Sequence, residues 1–238
     1  MKLNRLRHIA IAMVLGVSSL AQPADAQDKA AFAAAQSANS KLLHEYTWTS
    51  RTELKLKGES KKVSLEQVRY DATGALQKTP LPGGTPEPKP APPPPPARRG
   101  GRLKAKVVEN KKEEFAELMQ NVVALVKSYG HLPPEKLQAF MAGAKSQPGT
   151  GELQGALHIS GGNALQSGDS LAIWIDPATM MMRRIEVRSA FEEKPVLLTA
   201  VYQSAANGPT HLGKVTLAYP DKQVEVSVDN YDYKKLLQ

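Results

Sequence analysis

The sequence contains no cysteine, and this absence excludes several classes of protein. Without a thiol there is no disulfide, no thiolate nucleophile and no thiolate metal ligand in these residues. An N-terminal cysteine that carries a lipid anchor is excluded as well. The protein must therefore hold its fold together through a core that is large enough without covalent cross-links.

Sequence signatures of catalysis are missing too. The chain has no G-x-S-x-G nucleophile turn, no phosphate-binding loop, no G-x-G-x-x-G turn and no H-E-x-x-H zinc motif. The histidines after residue 27 have no second histidine three or four residues away; they are His44, His131, His158 and His211. We therefore expect no enzyme activity, no cofactor and no metal site, with a hydrolase assembled from distant residues as the alternative.

The first 26 residues have the pattern of a signal peptide. A basic start is followed by an apolar run at 9–21 and by the small residues of Ala24-Asp25-Ala26, the order that a signal peptidase reads. The apolar run is shorter than the roughly 20 residues of a membrane-spanning helix. We predict a signal peptide at 1–26, no transmembrane segment after its removal, and a periplasmic location. Removal of Lys2, Arg5, Arg7 and Asp25 with the signal peptide changes the net charge from +8 to about +6, which favours lipid head groups or acidic surfaces as partners, and not nucleic acid.

Residues 80–103 differ in composition from the rest of the chain. Ten of the 18 prolines lie between residues 80 and 96, and a flexible Gly-Arg stretch follows them. Consecutive prolines favour extended polyproline II and cannot donate to a β-ladder. We interpret 80–103 as a disordered insertion in a single domain of residues 27–238. It serves either as a spacer or as a docking segment for an envelope protein.

Residue periodicity predicts an α+β domain. Apolar residues recur at spacings of three and four between Phe115 and Tyr129, which predicts a helix over 113–130. A shorter helix is predicted at 132–144 and an alanine-rich one within 28–46. Strands are predicted at 46–58, 61–70 and 75–79, and then as an antiparallel meander at 152–160, 169–176, 181–190, 196–204, 212–219 and 223–230.

The stretch SLAIWIDPATMMMRRIEVRS, residues 170–189, has the pattern of a hairpin that turns at Asp176 and Pro177. Alternation places Met181 on one face of the second strand together with Ile185 and Val187, and Met182 on the other face with the residues Arg184, Glu186 and Arg188. The three methionines favour apolar lining over a metal site, since methionine adapts to irregular surfaces and no histidine is nearby. Parity places Arg183 on the side of Ile185, where it either extends to solvent or holds an anionic head group.

Within this hairpin, LAIWIDPATMMMRRIEV resembles the hydrophobic-W-[IV]-D-P-x-T-x-x-x-[RK]-[RK]-[IVL] pattern of the LolA-like group of periplasmic proteins. That group comprises lipoprotein carriers and outer-membrane lipoprotein-sorting proteins. The order of elements along the chain is similar as well. The resemblance implies an α+β fold with a curved antiparallel sheet, an open half-barrel, and helices packed on its concave face.

The same resemblance implies a non-enzymatic, monomeric carrier or binding protein for a lipid or a lipidated ligand, held against the concave face. Candidate ligand-binding residues are Trp48, Phe115, Met119, Val122, Trp174, Met181 and Arg183. Ordinary core packing is the alternative for the apolar ones. The alternative function is an envelope interaction or regulatory module of the same fold with a filled core, acting through its surface and its proline-rich loop.

Overall fold

The computed structural model describes residues 23–85, 99–130, 132–205 and 208–236. These residues divide into two compact units, one that holds helix α2 and one that holds the sheet with helices α1 and α3. The helices are α1 (Pro23–Leu43), α2 (Arg99–Gly130) and α3 (Pro134–Gly143). The strands are β1 (Tyr46–Leu56), β2 (Glu59–Tyr70), β3 (Leu76–Pro80), β4 (Lys145–Pro148), β5 (Leu157–Gly162), β6 (Ser170–Asp176), β7 (Met181–Phe191), β8 (Lys194–Ser204), β9 (Thr210–Tyr219) and β10 (Val224–Lys235).

The ten strands form one antiparallel sheet in the order β3-β2-β1-β10-β9-β8-β7-β6-β5-β4. Strands that follow one another in the chain are neighbours throughout, except that β3 and β4 lie at the two ends of the sheet. The first strand and the last strand, β1 and β10, pair in its interior. The predicted α+β class with an open antiparallel sheet is therefore confirmed.

The last predicted hairpin shows why these segments are strands. Valine, leucine and tyrosine alternate with polar residues in β9 and β10, so that one face of the pair is buried. Val226 lies opposite Leu217 and Val228 lies opposite Val215. Gln223 closes the connection in the left-handed conformation, at φ 52°.

The helices differ from the predictions in extent. Helix α3 lies inside the predicted range, whereas α1 begins earlier, at Pro23, and α2 begins at Arg99. No proline interrupts the chain between Arg99 and Gly130, so the helical conformation extends towards the N-terminus from the predicted segment. No helix in the described part of the chain is both long and apolar enough to cross a membrane.

The structure also assigns part of the predicted insertion to regular elements. Pro80 ends strand β3 and lies opposite Glu66, and residues 99–103 belong to α2. Residues 86–98 lie outside the described residues. Regular elements therefore overlap both ends of the span 80–103, and its disorder stays a prediction.

The region around residue 150 departs from the predicted strand at 152–160. Gly151 and Gly155 take left-handed conformations, at φ 59° and 85°, and a short 3₁₀ turn occupies Gly151–Leu153. Strand β5 therefore begins only at Leu157. Strand β4 was not predicted, because its four residues are polar or proline and fully exposed.

Both edge strands are short. Strand β3 has five residues and ends in Pro80, and strand β4 has four residues and ends in Pro148. Each also carries a lysine, Lys78 in β3 and Lys145 in β4. Proline lacks the backbone donor that a further strand would need.

Candidate functional site

Two rows of directly paired aliphatic side chains cross one face of the sheet. Residues that lie opposite one another in an antiparallel ladder project to the same side, so the register defines each row. The first row is Val226, Leu217, Leu198, Val187 and Leu171, and the second is Val228, Val215, Ala200, Ile185, Ile173 and Ile159. We call this side of the sheet the apolar face. With neighbouring strands about 4.8 Å apart, the six-strand row is about 24 Å long.

Helix α3 packs against this face through a glycine. Gly161 lies opposite Leu171 in the ladder, and it therefore belongs to the apolar face. The Phe140 ring lies so close that a Cβ atom on Gly161 would be 3.0 Å from it, and Phe140 is buried. The absence of a side chain at position 161 is what admits the ring.

Helix α1 is attached to the sheet differently, by polar contacts at the ends of strands. The Gln36 side-chain amide donates to the Met180 carbonyl at 2.9 Å. Asn39 donates to the Thr210 carbonyl and accepts from the Thr210 amide, both at 2.7 Å. None of residues 30–43 is fully buried. This helix therefore rests on the sheet without contributing to its core.

Five aromatic rings are in contact at one end of the sheet. His44, just after α1, stacks on Tyr70 with ring centroids 4.2 Å apart, and Tyr70 meets Trp48 at 5.8 Å. Trp48 stacks on Tyr233 at 5.3 Å with the planes 7° apart, and Tyr233 stacks on His211 at 3.6 Å. We call these five residues the aromatic ladder. It connects β2, β1, β10 and β9.

A backbone irregularity makes room for this stacking. The pairing of β1 with β10 shifts register between Thr47 and Thr49, so that Trp48 faces an extra residue of β10. Asp232 takes a left-handed conformation there, at φ 57°. Such a bulge redirects side chains locally. It brings Tyr233 against Trp48.

Burial changes the acid–base properties of the ladder. Burial raises the pKa of the Tyr233 hydroxyl and of the Tyr70 hydroxyl, and lowers the pKa of His211 below its usual 6.5. Both phenols and His211 are therefore neutral near pH 7.

The lowered pKa of His211 predicts that acid destabilises the fold. Below about pH 6.5 the unfolded chain takes up a proton at this position that the folded chain does not, so the free energy of unfolding falls as the pH falls. His211→Phe keeps a ring against Tyr233 but cannot be protonated. Urea denaturation at about pH 7.5 and about pH 5.5 is expected to show a larger loss of stability in the unmodified protein than in the variant. Equal losses in both proteins would contradict the prediction.

The structure distributes the predicted ligand-binding residues over several places. Trp48 is buried in the aromatic ladder. Trp174 follows Ile173 in β6 and therefore projects to the side opposite the apolar face, where it stacks on His158 at 4.3 Å. Trp48 and Trp174 are separated by the four strands between β1 and β6. The two tryptophans do not form one site.

Three predicted residues belong to helix α2. Phe115, Met119 and Val122 share one side of this helix because they are spaced by four and three residues. Met119 and Val122 are buried, and Phe115 is half-buried.

The prediction for the methionine hairpin was wrong in its alternation. The ladder between β6 and β7 shifts register, so that Trp174 lies opposite Arg184 but Ile175 lies opposite Met182. Met182 is therefore on the apolar face and buried, and Met181 is on the other side. Arg183 is the extra residue of this irregularity.

Because of this irregularity, strict alternation with Ile185 does not determine the side of β7 to which Arg183 projects. Its side chain is half-buried, and its guanidinium lies 3.5 Å from the Gln154 carbonyl. The nearby turn is held by the Asp176 carboxylate, which accepts from two turn amides, and by Met180 in a left-handed conformation at φ 57°.

Sequence reasoning did not find the aromatic ladder. Its members lie in four strands and one turn, far apart in the chain, and only the pairing of β1 with β10 brings them together. His131 lies outside the described residues. Among the residues that the structure describes, no three histidine or carboxylate side chains are grouped so that they could hold a metal ion.

Comparison with known proteins gives similarity in structure only. No family model and no curated protein matches the sequence. The chain is similar to a LolA superfamily protein from Nitrosomonas europaea, with 9% identity, coverage of 87% of this chain and 93% of that chain, and a TM-score of 0.34. It is also similar to a DUF1329 family protein from Desulfovibrio piger, with 7% identity, coverage of 87% and 92%, and a TM-score of 0.37. At these values neither likeness identifies a family, and the predicted α+β architecture with an open antiparallel sheet rests on the strand order alone.

Proposed function

We propose that this protein is a non-enzymatic periplasmic carrier or binding protein for a lipid or lipidated ligand, whose acyl chains lie against the apolar face. The observation that supports this is the pair of apolar rows. The longer row measures about 24 Å, and one leaflet of a bilayer is about 15 Å deep, half of the roughly 30 Å hydrocarbon core. A fully extended acyl chain therefore fits along it.

Access to the face requires that what covers it can move. Residues of both rows are nearly all below one tenth exposed, for example Leu217 at 3% and Val226 at 4%. Helix α1 is attached to the start of β7, to the turn before it and to β9 by four hydrogen bonds that involve Gln36 and Asn39, each worth only about 0.5–1.5 kcal/mol.

The same burial favours the alternative function. A face that is covered throughout is what a filled core would present, and the protein would then act through its surface and through the proline-rich segment. Residues 86–98 of that segment lie outside the described residues. Under this alternative, replacing them with a Gly-Ser linker abolishes capture of an envelope protein by the purified chain, and lipid binding is absent.

Lipid binding is tested directly with protein purified without detergent. Native mass spectrometry is expected to show bound lipid, and lipid is expected to displace a fluorescent fatty acid from the protein. Ala200→Leu, in the centre of the longer row, fills space on the apolar face. This substitution is expected to lower the affinity of the protein for the fluorescent fatty acid. Overpacking there costs about 1–3 kcal/mol of stability, which leaves a folded protein to measure.

Thr199→Leu is the matched control, because Thr199 is the neighbouring residue of β8 and projects to the opposite side. It is expected to leave probe affinity unchanged. Absence of bound lipid together with absence of probe binding in the unmodified protein would overturn the proposed function and favour the alternative.

A further inference from the structure

The side of the sheet that carries the apolar rows also carries a largely buried ion pair, at its β2–β3 end. Lys78 of β3 and Glu66 of β2 are 3.0 Å apart, and each side chain is 13% exposed. Most other ion pairs among the described residues involve a more exposed side chain, such as Lys55 with Glu225 at 37% and 43%.

The register places this pair on the same side as the apolar rows. Val228 lies opposite Thr52, and Ser50 projects to the same side two residues earlier in β1. Ser50 lies opposite Glu66. Two residues further along β2, Val68 lies opposite Lys78, so Lys78 projects to that side as well.

This side of the sheet is therefore amphiphilic. Strands β10 to β5 contribute only aliphatic residues to the two rows, whereas β2 and β3 contribute the two opposite charges. Strand spacing and rise place Glu66 about 12 Å from Val228, the β10 end of the longer row. Two aromatic side chains lie next to the pair on the same side, since Tyr70 follows Val68 by two residues and Trp48 lies opposite Val68.

Replacing both members of this pair together is expected to cost the fold little. Removing two charges from water costs nearly as much as their attraction returns, and such pairs are often replaceable by apolar residues without loss of stability. A pair of charges that contributes little to folding, beside an apolar surface of acyl length, is explained by recognition of a ligand.

We propose that Glu66 and Lys78 bind the zwitterionic head group of a phospholipid whose acyl chains lie along the apolar rows. This inference rests on the proposed function and adds the class of ligand. The Lys78 ammonium contacts the phosphodiester and the Glu66 carboxylate contacts the head-group ammonium, so each charge exchanges one partner for another.

The two charges also discriminate against other lipids. An anionic head group satisfies Lys78 but is repelled by Glu66, which then lacks a partner in a half-buried position. An uncharged head group leaves the ion pair between Glu66 and Lys78 intact and gains no electrostatic attraction from either residue. Specificity therefore requires both residues.

The test is competition between two phospholipids that have identical acyl chains, one with a phosphoethanolamine head and one with a phosphoglycerol head. The protein is incubated with vesicles of an equimolar mixture, separated from them, and examined by native mass spectrometry. We expect the phosphoethanolamine lipid to be bound in excess by roughly tenfold. Glu66→Gln leaves Lys78 as the only charge and is expected to reverse the preference.

Two further variants control this result. Glu53→Gln breaks an ion pair of 2.8 Å with Arg51 on the opposite side of β1, and it is expected to leave the preference unchanged. The exchange variant with Glu66→Lys and Lys78→Glu keeps an ion pair and is expected to keep the preference for the zwitterion. If Glu66→Gln does not fold, the lipid preference of this exchange variant tests the head-group site instead.

The outcomes separate the two proposals. If both lipids bind equally, or if Glu66→Gln folds and keeps the original ratio, the head-group site is overturned while lipid carriage stands. If the exchange variant folds and loses the preference, the head-group site is overturned as well. If neither lipid is bound by the unmodified protein, the proposed function itself fails.

Discussion

A chain that ends at Gln223 is expected to lose cooperative folding altogether. Strand β10 lies between β1 and β9, so its removal separates a three-stranded sheet from a six-stranded one. It also removes Val224, Val226 and Val228, which are buried and worth about 1.5–3 kcal/mol each. That sum is comparable to the whole stability of a typical domain, about 5–15 kcal/mol. Urea denaturation followed by circular dichroism is expected to show no cooperative transition.

A chain that ends at Lys235 is the control for this truncation. It keeps all of β10 and loses only the three residues after it, of which Leu236 donates one backbone hydrogen bond to Glu45. This chain is expected to unfold cooperatively, close to the full-length protein. A cooperative transition in the shorter chain would show that the two parts of the sheet fold without the strand that joins them.

Trp48→Ala is expected to have the largest effect of any single substitution considered, a loss of about 3–5 kcal/mol in the free energy of unfolding. Trp48 is 7% exposed and contacts both Tyr70 and Tyr233, so its removal leaves a cavity and interrupts the aromatic ladder. For a chain of this size the loss corresponds to a decrease of roughly 10 °C in the melting temperature.

Substitution of the second tryptophan, Trp174, serves as the comparison for Trp48→Ala. Trp174 is half-buried on the other side of the sheet and stacks only on His158 among the ring contacts described. Trp174→Ala is expected to cost about 1–2 kcal/mol. Because the chain has two tryptophans, each variant retains one, and its fluorescence reports unfolding in both. A loss for Trp174→Ala as large as that for Trp48→Ala would contradict the assignment of Trp48 to the structural centre of the ladder.

Local alternation was enough to predict most of the strands. In the hairpin at 170–189, the pairing of Leu171 with Val187 and of Ile173 with Ile185 follows from the period of two in both segments. The pattern was equally clear in β9 and β10. Where strands are regular, burial of one face requires this alternation, and the sequence therefore reveals it.

What alternation could not reveal are the irregularities. The register shift beside Arg183 exchanges the sides of Met181 and Met182, and no glycine or proline in the strand signals it. The ladder depends on a second irregularity, next to Trp48, and on the pairing of β1 with β10. Contacts between the first and last strands cannot be predicted from the alternation of residues within either strand. The ion pair of Glu66 with Lys78 was missed because isolated charges in a strand indicate solvent in most proteins.

The two edge strands have a consequence for the protein at high concentration. An open sheet exposes backbone donors and acceptors at both ends, where a second copy could add a strand and begin an aggregate. Here each end is only four or five residues long, finishes in proline and carries a lysine. A second molecule therefore finds few hydrogen bonds to make at either end, and at the β4 end it also meets the exposed Lys145. The open sheet is in this way kept from pairing with the edges of its own copies.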